Sequence, residues 1–227
     1  MQENNRWHIL ETAGQVALAA YQHILKSAEQ AIADHGTFKL VLAGGSTPEK
    51  VYCLLAQADA DWSHWYIYYG DERCLPADHA DRNSLMATQA FLEKVAIPDA
   101  QILTIPAELG PESAAKKYQQ IVANALPFDM VLLGMGEDGH TASLFPGHQH
   151  REDELAHAVY NSPKPPPERV SISAKALSNT QQLIFLITGA NKREAVKNWR
   201  SGQDLPVATI NPENPIDIYI DRDACNL

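Results

Sequence analysis

A short β-prone run that ends in a glycine turn occurs four times along this chain. The runs lie at 38–43, 65–69, 128–133 and 183–188, and the turns read GGSTPE, GDER, GMGEDGH and GANKREAV. Helical patterns at 11–34, 83–95 and 112–126 and a shorter predicted strand at 102–105 lie between them. Strands that alternate with helices form parallel sheets with right-handed crossovers. The sequence therefore predicts an α/β fold, a doubly wound, mainly parallel sheet with helices on both faces.

The ends of these elements have recognisable local signals. Gly36 is placed to end the first helix, and Thr47 and Pro48 suit the N-cap and first turn of the helix that follows GGSTPE. A strand is predicted at 169–173, and the alternating pattern at 216–220 is typical of an edge strand. The proline-rich stretch 162–167 is interpreted as a loop, so residues 1–227 are expected to form one domain.

Composition excludes several classes of partner. The chain has 18 basic and 28 acidic residues and a net charge of -10, which disfavours nucleic acid and anionic membranes. No run approaches the roughly 18 apolar residues of a membrane span, and the N-terminal segment has no signal-peptide core, so a cytoplasmic protein is expected. Cys53, Cys74 and Cys225 are too few and too widely spaced for a disulfide framework or a C-x-x-C site.

The predicted topology also indicates where a ligand binds. In open α/β sheets, ligands bind outside the carboxyl ends of the strands, where all four glycine turns lie. Residues far apart in the sequence are therefore expected to meet in one cleft, namely Ser46, Asp71, Arg73, His140 and Lys192.

The first turn, LAGGSTPEK, lacks the lysine spacing of a Walker A loop but has the features of a phosphate site. Gly44 and Gly45 allow close approach of the backbone to an anion, and the following helix begins with free N–H groups. The hydroxyls of Ser46 and Thr47 are further donors. The alternative interpretation is an ordinary capped junction between a strand and a helix.

The second turn, YYGDERCLP, places a carboxylate and a guanidinium just after a strand. Arg73 is suited to bidentate phosphate binding, and Asp71 is suited to orienting a histidine. The alternative is a surface turn held by salt bridges.

The third turn, GMGEDGHTASLFPG, contains G-x-G-x-x-G but is a poor dinucleotide motif. Glu137 and Asp138 would lie where a pyrophosphate must bind, and Pro146 leaves little room for a helix. The turn instead presents His140 at the mouth of the sheet, with a reference pKa suited to proton transfer.

The same region offers an alternative interpretation as a zinc site. Its ligands would be His140, His148, His150, Glu152 and Asp153, but the spacing matches no defined zinc motif, and an exposed loop is favoured. No metal is therefore predicted. Lys164, Arg169 and Lys192 are further cations near strand ends, and in an acidic protein they would supply the local positive field that an anionic substrate needs.

Five motifs in order, LAGGSTPEKVY, YYGDERCLPADHADRNS, FDMVLLGMGEDGHTASLFPG, SPKPPPERVSIS and LITGANKREAV, resemble the 6-phosphogluconolactonase family, which is related to the glucosamine-6-phosphate isomerase/deaminases. The resemblance runs from about residue 6 to the C-terminus. It implies a Rossmann-like fold and hydrolysis of 6-phosphoglucono-δ-lactone in the pentose phosphate pathway, without metal or nucleotide.

The resemblance also implies roles for individual residues. His140 would be the base that activates water. The residues themselves suggest that either Asp71 or Asp138 holds its second ring nitrogen. The phosphate would rest on Gly45, Ser46 and Thr47 with Arg73 and Lys192, and Lys164 and Arg169 match further anion contacts. The expected partner is a sugar-phosphate lactone, and the expected state is a monomer or a weak homo-oligomer.

Two other functions remain open at this stage. The deaminases share G-G-S-T-P and D-G-H, but their motif has a glutamate five residues after the histidine, where this chain has Phe145. A non-catalytic sugar-phosphate sensor would keep the pocket and bind without turnover.

Overall fold

The computed structural model describes residues 5–151 and 153–225. The strands in these residues are β1 (Arg6–Leu10), β2 (Phe38–Leu42), β3 (Trp65–Tyr69), β4 (Asp71–Arg73), β5 (Phe128–Gly134), β6 (Ala156–Val159), β7 (Arg169–Ile172), β8 (Thr180–Ile187) and β9 (Ile216–Asp221). The α-helices are α1 (Ala13–His35), α2 (Ser46–Leu55), α3 (Asn83–Ala90), α4 (Pro111–Ala125), α5 (Ala174–Ser178), α6 (Arg193–Arg200) and α7 (Arg222–Cys225).

The main sheet has six parallel strands in the order β1-β9-β8-β5-β2-β3. From β2 the chain proceeds outward to β3, whereas from β5 it proceeds in the opposite direction through β8 to β9. Right-handed crossovers in opposite directions lie on opposite faces of a sheet. The predicted doubly wound α/β fold is confirmed, and the reversal between β2 and β5 opens a crevice at their carboxyl ends.

The centre of the sheet is its most apolar part. Residues 128–133 of β5 are all buried between β8 and β2. Helix α1 buries one face, and the side chain of Thr12 accepts a hydrogen bond from the Gln15 N–H at its start. Gly36 ends α1 with φ of 86°, a left-handed conformation that glycine adopts without steric cost.

A second, smaller sheet was not predicted. Strands β4, β7 and β6 form an antiparallel sheet, in which Arg73 of the DER turn lies opposite Arg169. A strand of three residues is too short to show a two-residue period, so β4 is detectable only through its pairing with β7. This sheet brings the second motif next to the proline-rich segment.

The prediction that 216–220 is an edge strand is wrong. All six residues of β9 are buried, and the edge is β1. The polar residues that suggested exposure, Asp217 and Tyr219, are buried. Asp217 binds Arg6 at 2.8 Å and His8 at 2.6 Å, both on β1. Satisfied buried carboxylates therefore mimic the alternation of an edge strand.

Two local predictions are also wrong. At 102–105 there is no ladder but a single bridge between Ile67 and Ile102, followed by Pro106. Thr47 does not cap α2, whose N-cap is Gly45; its hydroxyl instead hydrogen-bonds Thr188 at 2.6 Å.

No helix in the described part of the chain is long and apolar enough to cross a membrane.

Candidate active site

A cleft of about 490 Å³ lies at the carboxyl ends of β2, β3, β5 and β8. The sequence-predicted residues that line it are Gly44, Gly45, Ser46, Thr47, Asp71, Arg73, His140, Lys164, Arg169 and Lys192. Asp138 is not part of the lining and contacts His140. The structure thus brings together residues from all four glycine turns.

One wall of the cleft is the N-terminus of α2. Its N-cap, Gly45, has φ of 108° and makes no side-chain cap, so no side chain of the described residues satisfies the first N–H groups of the helix. Those groups and the positive end of the helix dipole favour an anion at this point. A side chain at Gly44 would collide with the amide of Asn83, which explains the first glycine of the pair.

The opposite wall carries His140, whose side chain is 17% exposed. Its Nδ1 lies 2.5 Å from Asp138 Oδ1, and its backbone N–H donates to the same carboxylate oxygen at 3.2 Å. An ionised carboxylate only accepts hydrogen bonds, so Nδ1 carries the proton and Nε2 has the free lone pair. No described residue hydrogen-bonds Nε2, which is therefore available to a substrate or water.

The electrostatics of this pair suit a neutral base. Burial lowers the pKa of His140 below its ordinary value, and the nearby Asp138 carboxylate opposes but does not cancel this effect. Burial raises the pKa of Asp138, but the charge and hydrogen bonds of His140 outweigh it, so the net pKa of Asp138 is lowered. At neutral pH the histidine is uncharged and its partner is ionised.

Two glycines of the third turn leave room for the side chains that pack in and around it. The Gly136 N–H donates to the His140 carbonyl at 2.8 Å, and a Cβ on Gly136 would collide with the imidazole. Gly139 has φ of 79°, and a Cβ there would lie 2.9 Å from Leu205. The packing of His140 and Leu205 thus accounts for two of the three glycines of the G-x-G-x-x-G pattern, Gly136 and Gly139.

Phe145, the position that distinguishes the chain from the deaminase pattern, packs directly on His140. Its ring centroid lies 4.8 Å from that of His140, and the ring is almost fully buried. It supplies an apolar surface, not a second carboxylate, next to the imidazole.

Asp71 does not contact His140, although the sequence left it open as the orienting acid. Its carboxylate accepts hydrogen bonds from Ser143 Oγ at 2.6 Å and from Asn83 Nδ2 at 3.1 Å. Asp71 thereby joins the His140 loop to the start of α3. Of the two acids, Asp138 is the one that holds the imidazole.

Glu72, the middle residue of DER, is buried and has a structural role. It accepts hydrogen bonds from the N–H groups of Asn83 and Ser84, both at 2.8 Å, and pairs with buried Arg82 at 3.1 Å. The alternative for this motif, a surface turn held by salt bridges, does not describe Glu72, because its pair with Arg82 is buried. Its neighbours Asp71 and Arg73 face the cleft.

The cations of the cleft differ in how they are held. Arg73 donates to the Asp81 carbonyl at 2.6 Å, and Arg169 donates to the carbonyls of Lys164, Pro165 and Pro166. Lys164 pairs with Glu137 at 2.9 Å. Lys192 makes no ion pair with a described residue, and burial, followed by the nearby Lys164, lowers its pKa.

Sequence reasoning missed the residues that organise the cleft. Asn83, Ser143, Thr188 and Asn191 were not predicted as site residues, yet the first two bind Asp71 and the third binds Thr47. Polar side chains of this kind have no distinctive spacing. Only their contacts across the sheet reveal them.

The zinc interpretation has no support in the geometry. Glu152 lies outside the described residues, and among the others no group of three His, Cys, Asp or Glu side chains is arranged to hold a metal ion. His148 packs against Phe145, with ring centroids 5.5 Å apart.

The fold and the cleft define a class: a Rossmann-like α/β protein with an anion-binding helix terminus and a carboxylate-paired histidine at the topological switch point. Within that class, the model of the glucosamine-6-phosphate isomerases/6-phosphogluconolactonase family matches residues 11–219. The chain belongs to this family.

Individual relatives agree with this assignment. The chain is 38% identical over 195 residues to a rat 6-phosphogluconolactonase, a match that covers 79% of this chain and 76% of the rat protein. It is 37% identical over 201 residues to a rice protein, the probable chloroplastic 6-phosphogluconolactonase 4. That match covers 80% of this chain and 61% of the rice protein, so the chain spans about three fifths of that relative's length.

Solved structures show the same fold. The 6-phosphogluconolactonase of Thermotoga maritima superposes with a TM-score of 0.89 at 26% identity, covering 96% of this chain and 99% of that one. The enzyme of Trypanosoma brucei gives a TM-score of 0.87 at 27% identity, with 98% of each chain covered. A monomeric glucosamine-6-phosphate deaminase, at 19% identity and a TM-score of 0.86, shares the fold.

Proposed function

We propose that this chain hydrolyses 6-phospho-D-glucono-1,5-lactone to 6-phospho-D-gluconate, a reaction of the oxidative pentose phosphate pathway. The observation that carries the proposal is that the Asp138-paired His140 and the uncapped N-terminus of α2 line one cleft. Membership of the family and the names of the rat, Thermotoga maritima and Trypanosoma brucei relatives support the choice of substrate.

The phosphate is held at the α2 end of the cleft. Ser46 and Thr47 line this end of the cleft at the N-terminus of α2, and Arg73 and Lys192 supply positive charge. Lys164 and Arg169 extend the positive field along the proline-rich loop. Binding energy from the phosphate orients the lactone ring, whose carbonyl then lies near the base.

His140 acts as the general base. Asp138 keeps the proton on Nδ1, so Nε2 removes a proton from water as the water oxygen attacks the lactone carbonyl carbon. The imidazolium that forms is stabilised by the Asp138 carboxylate. Asp71 acts indirectly, by holding Ser143 and Asn83 in place beneath the cleft.

The tetrahedral intermediate then collapses. Its oxyanion is stabilised by backbone N–H groups of the glycine turns, the bond from carbon to the ring oxygen breaks, and the proton on Nε2 passes to that oxygen. The products are a hydroxyl group and a carboxylic acid, which releases its proton to solvent. The sequence of steps needs no group besides the chain and water.

Phe145 argues against the deaminase alternative. In the deaminase pattern a glutamate five residues after the histidine helps sugar ring opening. Here, among the described residues, His140 has only the Asp138 carboxylate, and the position of that glutamate presents a buried apolar ring whose centroid is 4.8 Å from that of the imidazole. Ammonia release from glucosamine 6-phosphate is therefore expected to be absent.

The test is hydrolysis of the freshly generated lactone by the purified chain, with spontaneous hydrolysis subtracted. We expect turnover that falls by about 10² to 10⁴ in His140→Ala. His64→Ala is the matched control. His64 is half-exposed and lies just before the amino end of β3, whereas the cleft lies at the carboxyl ends of the strands. Near wild-type turnover in His140→Ala would refute the role of His140 as the general base. Binding of 6-phosphogluconate by the wild-type chain without any turnover would favour the non-catalytic sugar-phosphate sensor.

Three broader expectations stay predictions. The chain is expected to act as one domain over residues 1–227, as a monomer or a weak homo-oligomer, and in the cytoplasm. The rice relative named above is described as chloroplastic, so localisation needs its own measurement.

A further inference from the structure

An acidic side chain pairs with a lysine at the rim of the anion-binding cleft. Glu137, in the turn that presents His140, lies with its Oε1 2.9 Å from Nζ of Lys164, which lines the cleft. The Glu137 and Lys164 side chains are 53% and 40% exposed. Ion pairs with this exposure contribute little to stability, because water competes for both charges. Stability of the fold therefore does not account for an acid at this place.

Glu137 is ionised and has partners from two other segments. The hydrogen bond and the charge of Lys164, followed by a hydrogen bond from Asn191, lower the pKa of its carboxyl group. Lys164 belongs to the proline-rich segment 162–167, and Asn191 belongs to the 3-10 helix that precedes α6. The acid thus keeps Lys164 at the rim and offsets its positive charge.

Lys164 also lies within electrostatic reach of the proposed base. The Gly139 N–H donates to the Gly136 carbonyl at 3.1 Å, and the Gly136 N–H donates to the His140 carbonyl at 2.8 Å, so Glu137 and His140 belong to one tight loop. Burial lowers the pKa of His140, and the charge of Lys164 adds a smaller effect in the same direction. A negative charge that forms beside His140 therefore forms near Lys164 as well.

The proposed reaction creates such a charge. The uncharged carbonyl of the lactone becomes the carboxylate of the product, at the carbon that the water activated by His140 attacks. The product therefore carries one more negative charge than the substrate, at the end of the molecule opposite to the phosphate. An unpaired lysine at this end would bind the product more tightly than the substrate and slow its release.

We propose that Glu137 is a positioning residue that holds Lys164 and withholds its charge from the carboxylate of the product, so that the cleft favours the lactone over 6-phosphogluconate. Binding of the substrate depends less on this pair, because the lactone carbonyl is uncharged and the phosphate lies at the α2 end. The inference rests on the proposed function, which supplies the product carboxylate.

The experiment compares two ligands that differ only at the reacting carbon. 6-Phosphogluconate has a carboxylate there, and D-glucitol 6-phosphate has a hydroxymethyl group. Isothermal titration calorimetry at low ionic strength measures the binding of both to the wild-type chain and to Glu137→Gln. We expect Glu137→Gln to bind 6-phosphogluconate about three to ten times more tightly and D-glucitol 6-phosphate within about twofold of wild type. Glu29→Gln, which changes an exposed acid of α1 outside the cleft, is the matched control.

A second background tests whether the released lysine causes the tighter binding. In Lys164→Gln the carboxylate of Glu137 has no lysine to hold, so adding Glu137→Gln is expected to change the affinity for 6-phosphogluconate by less than about twofold. The gain in the single variant should also shrink at about 0.5 M salt, because the Debye length then falls to a few ångströms. A change in packing alone would not follow the salt concentration.

Three results would overturn the proposal. They are an unchanged affinity of Glu137→Gln for 6-phosphogluconate, equal tightening for both ligands, and the same gain in the Lys164→Gln background. All three are read from binding and do not depend on turnover, whereas the proposed function fails if the wild-type chain does not hydrolyse the lactone. No binding of either ligand to any of these proteins would refute both.

Discussion

The rings of Phe145 and His140 pack at a centroid distance of 4.8 Å with 46° between their planes. The guanidinium of Arg169 lies over the same Phe145 ring at 5.6 Å from its centroid. One apolar side chain thus contacts both the proposed base and a cation of the cleft. Because it helps to bury the imidazole, it contributes to the lowered pKa of His140.

Shortening this ring should change the pH dependence of catalysis. In Phe145→Leu the imidazole becomes better hydrated, so the pKa of His140 rises toward its ordinary value of 6.5. The acid limb of the plot of kcat/KM against pH is therefore expected to move to higher pH. Phe91→Leu, which truncates a buried ring that packs on Tyr52 and Trp62 outside the cleft, is the control. An acid limb that stays in place would remove Phe145 from this role.

The Asp138 carboxylate should have the opposite effect on the same limb. It raises the pKa of His140, so Asp138→Asn should lower that pKa further and move the acid limb to lower pH. The amide of the variant can also present its NH2 group to Nδ1, which favours the wrong tautomer, and it carries no charge to stabilise the imidazolium. The kcat is therefore expected to fall by about a hundredfold or more. Asp71→Asn, whose residue does not contact His140, should leave the position of the limb closer to wild type. Equal shifts in the two variants would contradict the assignment of Asp138.

The cations should affect substrate binding more than turnover. Arg73→Ala and Lys192→Ala are each expected to raise KM by about tenfold, the effect of losing one charged hydrogen bond to phosphate. Lys50→Ala, an exposed lysine farther along α2, is the matched control. With gluconolactone, which has no phosphate, the same variants should differ little from wild type. Unchanged KM values in both cleft variants would rule out the phosphate clamp.

Two nearby glycines should differ in their tolerance of a methyl group. A Cβ at Gly136 collides with the His140 ring, whereas a Cβ at Gly134 meets only the Leu186 carbonyl at 4.0 Å. Gly136→Ala is therefore expected to displace the base and reduce kcat at least tenfold, with little change in KM. Gly134→Ala should remain close to wild type. Steady-state kinetics and a thermal melt of both variants test this difference.

His157, a buried residue of β6, should make stability depend on pH. Burial lowers its pKa to about 3 in the folded chain, whereas the pKa is near 6.5 when unfolded, so the unfolded state binds more protons between these values. Its contribution is present above pH 6.5 and is lost as the pH falls, by up to about 1.4 kcal/mol per pH unit. The free energy of unfolding of His157→Leu, from denaturant titrations at pH 7 and pH 5, should therefore decrease less than that of wild type. Parallel decreases would show that His157 does not titrate in this way.

Much of the fold follows from patterns within a few residues. The runs that became β2, β3, β5 and β8 each end in a glycine turn, and the amphipathic pattern of α1 matches its buried face. Helix α3 ends earlier than its pattern suggested, and a short 3-10 helix at Leu92–Lys94 continues it. Such local features are encoded by side-chain periodicity and by backbone preferences, which act over one or two turns.

The errors arose where a distant segment supplies the partner. Asp217 is polar yet buried because Arg6 and His8 lie beside it, and Thr47 bonds Thr188 in place of the backbone of its own helix. The second sheet exists because β4 pairs with β7, which lies almost a hundred residues later in the sequence. None of these contacts affects the spacing of apolar and polar residues near the residue concerned, so the local sequence pattern does not reveal them.

The candidate site divides in the same way. Strand-end position and residue type were sufficient to select His140, the GGST turn and the basic residues, because parallel strands carry their carboxyl ends to one edge of the sheet. The choice between Asp71 and Asp138, the apolar contact of Phe145 and the pairing of Glu137 with Lys164 emerged from packing across elements. Hydrogen-bond geometry and burial depend on distances of a few ångströms between side chains, and the folded chain sets those distances through contacts that span its whole length.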